Sequence, residues 1–186
     1  MPSKTTLSPP PRYPDIVLAL DLMSTTPPRF HWFFFIPDMP AAASSSAQRH
    51  GGVKLHAITN GKQGDDRRWS YDRTPLALAT SPAVAAAALL GRLPDGKSVD
   101  DLDALLRQIP MEVPEVDRER EPTWSCRVWI REALRRMHVS GYIHCEDVDA
   151  MEAEMWRYGK EAAAKIEDDT FEVASLVEAL HSRALA

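Results

Sequence analysis

Positive charge is in deficit: 22 lysines and arginines face 27 aspartates and glutamates, leaving a net charge of −5 at pH 7. Gripping nucleic acid or an anionic membrane needs a basic surface, so stable nucleic-acid binding is not expected. Cysteine is scarce as well, with only Cys126 and Cys145. A secreted domain that relied on disulfides would carry more. Long apolar runs are missing. The most hydrophobic stretch, residues 30–37, is far too short to span a bilayer, and MPSKTTLSPPPRYPD lacks the apolar centre of a signal peptide. The expectation is a cytoplasmic protein with reduced thiols. Phosphate-loop and dinucleotide fingerprints are absent, and His144-Cys145-Glu146 has no second ligand pair at zinc spacing. Neither cofactor nor metal is expected.

What remains is ordinary globular composition, 44% hydrophobic and 26% charged over 186 residues, enough for one domain with a sizeable core. Residues 1–14 are rich in Pro, Ser and Thr and read as a disordered lead-in, leaving 15–186 as a single domain. Residues 16–23 (IVLALDLM) read as a buried strand and STTPP as a turn. Residues 30–36 (FHWFFFI) give the strongest strand signal. Alternation puts Phe30, Trp32, Phe34 and Ile36 on one face and His31, Phe33 and Phe35 on the other.

The Ala/Ser-rich stretch 41–52 reads as a mobile loop. Residues 53–59 (VKLHAIT) alternate, with His56 opposite Val53, Leu55 and Ala57, and Asn60-Gly61 leads toward a hairpin partner at 68–72. Residues 84–93 fit helix or strand equally. Ser98 caps a helix over 98–108, with acids in its first turn and Leu102, Leu105 and Leu106 as its buried stripe. A charged, Pro-punctuated connector covers 110–122. Residues 126–137 form a second amphipathic helix with Cys126, Trp129, Ile130, Ala133, Leu134 and Met137 on one side, and 146–164 and 170–184 read as two more. The fold class is α+β.

Cys126 lies in the first turn of a helix, where the macrodipole favours a thiolate and lowers the thiol below its free value of about 8.5. Its alternative role is a small buried core residue. His31 is the one imidazole on an aromatic strand face. A neutral histidine beside a cysteine can take its proton, and a backbone-bonded core histidine is the alternative. His56, on the next strand, can orient such a base.

The order is HW in an aromatic strand, then LH in the following strand, then a cysteine opening a helix with an aromatic three residues on. It resembles the lecithin:retinol acyltransferase family and its phospholipase and acyltransferase relatives. The stretches that carry it are His31-Trp32-Phe33-Phe34-Phe35-Ile36, Lys54-Leu55-His56 and Ser125-Cys126-Arg127-Val128-Trp129-Ile130. The same HW, H and CxxW elements are similar to those of small uncharacterised fungal proteins. The resemblance implies an antiparallel sheet packed by helices in a circularly permuted papain-like arrangement. It also implies Cys126 as nucleophile, His31 as base and His56 as the orienting group. The implied activity is transfer or hydrolysis of an acyl group from an ester, thioester or amide small molecule. Arg127 and Val128 stand where the acyltransferases have Glu and His, and their C-terminal membrane helix has no counterpart here. The competing reading is a papain-like binding module without turnover.

Overall fold

A computed structural model describes residues 5–40, 51–62 and 64–185. Seven strands form one sheet: β1 (Leu7–Ser8), β2 (Asp15–Thr25), β3 (Pro28–Pro37), β4 (Gly52–Thr59), β5 (Trp69–Leu76), β6 (Val84–Arg92) and β7 (Ala174–Glu178). Their spatial order is β1-β7-β6-β2-β3-β4-β5. Neighbours run antiparallel except β1 with β7 and β7 with β6. Three helices complete the fold: α1 (Val99–Arg107), α2 (Cys126–Val139) and α3 (Val148–Glu167). The chain is α+β, and no helix among the described residues is long and apolar enough to cross a membrane.

Strand alternation divides the interior in two. Ile16, Leu18 and Leu20 of β2, Phe30, Trp32, Phe34 and Ile36 of β3, and Leu55 and Ala57 of β4 meet α2 and α3 in one core. Trp129, Ile130, Leu134 and Met137 of α2 and Met151 and Met155 of α3 fill the other side of it. Each large apolar side chain buried there stabilises the fold by about 1.5–3 kcal/mol. The opposite sheet face carries Val17, Ala19, Phe33, Phe35 and Ala87, covered by Leu7, Leu78 and Ala174.

Two expectations change and one open choice is resolved. Residues 1–4 lie outside the described residues, but 5–14 are not a disordered lead-in. Leu7 is fully buried on the second sheet face, and Thr6 donates its amide to the Ala79 carbonyl at 2.8 Å. One large apolar side chain and a short ladder with β7 anchor the segment despite its prolines. The ambiguous 84–93 run is β6, paired with β2. The stretch read as a helix over 170–184 instead forms β7 and an extended tail. Parallel pairing of Leu176 with Ala87 and Val177 with Ala88 outweighs its helical propensity. The loop assigned to 41–52 falls, at 41–50, outside the described residues.

The connector before α2 is fastened by ions. Asp117 is fully buried and accepts from Nε and Nη2 of Arg131, at 3.0 and 2.7 Å, and from Arg135 at 2.7 Å. Arg127 donates to Glu121 at 2.7 Å and to Glu152 of α3 at 2.5 Å. Charges this deep hold only when paired, so these bonds fix the start of α2 against the connector and α3.

Candidate active site

Ser125 caps α2, its hydroxyl accepting the Val128 amide at 3.3 Å, which puts Cys126 in the first turn as the sequence reading requires. The sulfur meets the sheet in an opening between β3 and β4. Those strands pair only from Phe34 with Leu55 to Pro37 with Gly52. The Asp38 amide donates to the Gly51 carbonyl at 2.9 Å. In an antiparallel pair the main-chain groups then point toward β4 at every second residue, at Ile36, Phe34 and Trp32. At Trp32 the ladder has ended, and its main chain stands close enough to Cys126 sulfur to favour the thiolate. The main-chain groups of Cys126 and Arg127 act on the thiol in the same direction.

His31 precedes Trp32, and its side chain leaves β3 on the face away from α2, beside Phe33. There its Nε2 lies 2.7 Å from Nδ1 of His56. Nε2 of His56 is 3.4 Å from Asp72 Oδ2 on β5, in contact but off the line of a hydrogen bond. Asp72 is the cross-strand partner of His56, and Asp21 that of His31. Lys54 pairs with Asp21 at 2.8 Å and sits over the Phe33 ring at 3.9 Å.

Electrostatics keep these groups neutral. Burial, then the Lys54 ammonium, then His56 lower His31 to about 3. Burial and Lys54 lower His56 to about 4, against the opposing pull of Asp72. Burial raises the Cys126 thiol, and these main-chain groups offset this only in part. The resting protein therefore holds a thiol and two neutral imidazoles at pH 7.

The structure brings His31 and His56 into direct contact and brings Cys126 to the residue next to His31. Among the described residues, Cys126 is hydrogen-bonded to neither imidazole, and the sulfur approaches from the helix side of the opening while the rings lie on the other. Cys126 is only 9% exposed. Cys145 is also free and buried, and burial followed by Asp147 and Glu154 raises it to about 11. Among the described residues no group of three or more His, Cys, Asp or Glu is placed to hold a metal ion.

Sequence reasoning missed Asp72, Lys54 and Asp21, because their roles depend on register across four strands. It also missed the role of Arg127, which serves the ion network with Glu121 and Glu152. The signal for Asp72 was the hairpin, which pairs His56 with Asp72 once Thr59 is set against Trp69.

No curated protein and no solved structure matches the chain. Residues 16–175, which include every residue of the candidate site, match a family described as a family of unknown function. The chain therefore belongs to that family, DUF6914.

Proposed function

We propose that the protein is a cysteine-dependent acyltransferase or hydrolase, acting through a covalent acyl-Cys126 intermediate within a permuted papain-like shell in which histidine precedes cysteine. One observation carries the reading. Cys126 lies in the opening where β3 and β4 part, against the main chain of Trp32, one residue from an imidazole that is itself hydrogen-bonded to a second imidazole. A core cysteine needs no such surroundings.

Because thiol and imidazole are both neutral at rest, turnover requires the thiol proton to reach His31 through the opening between β3 and β4, by way of a water or a shift of the first turn of α2, as sulfur attacks the carbonyl carbon. The carbon–sulfur bond forms and the carbonyl oxygen takes the negative charge. Collapse expels the leaving group, which collects the proton from His31. Water or an amine then attacks the thioester with His31 again as base, releasing Cys126. Two free thiols suit the reducing cytoplasm in which we place this chemistry.

Iodoacetamide labelling followed by peptide mass spectrometry tests the reading. Cys126 is expected to label faster than Cys145, to slow at least tenfold in His31→Gln, and to accelerate with pH above neutrality without an acidic plateau. Equal labelling of both cysteines, indifferent to His31 and limited by unfolding, would overturn it in favour of a binding module without turnover.

A further inference from the structure

We infer that Asp72 is a positioning residue that holds the proton of His56 on Nε2 and thereby leaves Nδ1 of His31 bare. The inference rests on the reading of Cys126 as the nucleophile only for its catalytic consequence.

Nε2 of His31 and Nδ1 of His56 are 2.7 Å apart, so a neutral pair shares one proton between them. Two arrangements satisfy that bond. In the first, His31 donates from Nε2, His56 accepts at Nδ1, and His56 carries its own proton on Nε2. In the second, His56 donates from Nδ1, His31 accepts at Nε2, and His31 carries its proton on Nδ1. Geometry between the rings does not choose between them. The carboxylate of Asp72 does, because Oδ2 stands 3.4 Å from Nε2 of His56 and can only accept. The first arrangement turns an N–H dipole toward that negative charge. The second turns a lone pair toward it.

Nothing competes for this nitrogen. His56 is 9% exposed at its side chain, and among the described residues its Nε2 has no hydrogen-bond partner, leaving the Asp72 carboxylate at 3.4 Å as the charge that faces it. Lys54 reinforces the choice indirectly. Its ammonium opposes an added proton on either ring, so the pair stays neutral and the tautomer is the variable left to set.

The consequence falls on His31. With Nε2 donating to His56, its one free ring nitrogen is Nδ1, the nitrogen nearer the backbone. That backbone leads directly into Trp32, whose main chain stands beside Cys126 sulfur. In the first arrangement Nδ1 is a lone pair able to accept the thiol proton. In the second it is an N–H able only to donate, and the site has no base.

Imidazole nitrogen shifts from long-range proton–nitrogen correlation on the full-length, 15N-labelled protein report the tautomers without reference to activity. The wild type is expected to show both rings protonated at Nε2, with Nδ1 of His31 unprotonated. Asp72→Leu is expected to mix the tautomers of both rings and slow iodoacetamide labelling of Cys126 about tenfold, and Asp72→Glu to restore both readouts. A wild-type His56 protonated at Nδ1 would overturn the inference without any variant. So would tautomers unchanged in a folded Asp72→Leu. Altered tautomers with unaltered labelling would uphold the role of Asp72 and overturn the reading of Cys126.

Discussion

Acid should loosen this protein through its histidine pair. Both imidazoles are depressed in the folded state, His31 to about 3 and His56 to about 4, from 6.5 in the unfolded chain. Protons therefore bind the unfolded chain preferentially, and stability is complete above pH 6.5 and declines as pH falls toward 4. Each pKa unit is worth about 1.4 kcal/mol, so lowering the pH from 7 to 5 removes about 2 kcal/mol for each ring. The pair together gives a loss of about 4 kcal/mol, somewhat reduced by solvent at the partly exposed His31. That is a large part of a typical domain's 5–15 kcal/mol. The structural origin is burial of both rings first and the Lys54 ammonium beside them second, with His56 adding to the effect on His31. Urea unfolding followed by tryptophan fluorescence at pH 7 and pH 5 measures the loss, and the variant His31→Gln/His56→Gln isolates its source. The double variant should lose at least 2 kcal/mol less than the wild type over that interval. Equal losses in the two proteins would refute the assignment of the acid response to this pair.

Three further perturbations probe the frame around the site. Gly52→Ala would put a Cβ 2.3 Å from the Ile36 carbonyl oxygen and 2.5 Å from Phe35 Cζ, and is expected to cost about 3 kcal/mol in chemical denaturation. Asp117→Ala strips Arg131 and Arg135 of their buried carboxylate and should cost about 3–5 kcal/mol, with partial recovery in Asp117→Leu/Arg131→Met. Ser125→Ala removes the cap of α2 and should lower stability by about 1 kcal/mol in the same assay.

Much of the frame was legible because local chemistry and tertiary packing agree there. Ser98 caps α1 with a full capping box, and the apolar stripe from Cys126 to Met137 packs inward as its spacing dictates. The aromatic alternation of β3 correctly separated Trp32 and Phe34 from His31 and Phe33. Failures cluster where a distant partner decides. Residues 174–178 have a helix-compatible composition, and only β6 and β1 on either side make them a strand. Within the site, the contact of His56 with His31 was foreseen and is present. What alternation within single strands could not convey was where β3 and β4 part. That parting sets Cys126 against the main chain of β3 rather than on an imidazole. The Asp72 carboxylate was hidden in the same way, since its place behind His56 follows from hairpin register and not from local spacing.

The thiol beside the unpaired end of β3 also ties two kinds of motion together. Trp32 and Cys126 are both buried where the first turn of α2 meets β3, so an opening that lifts that turn would expose the Trp32 amide and the thiol together. Deuterium uptake at one main-chain position and modification at one sulfur should therefore follow a single opening equilibrium. A ligand that presses the turn down would slow both by the same factor, and one that enters beneath it would accelerate both. Exchange at Trp32 thus offers a label-free gauge of how often the cysteine is presented.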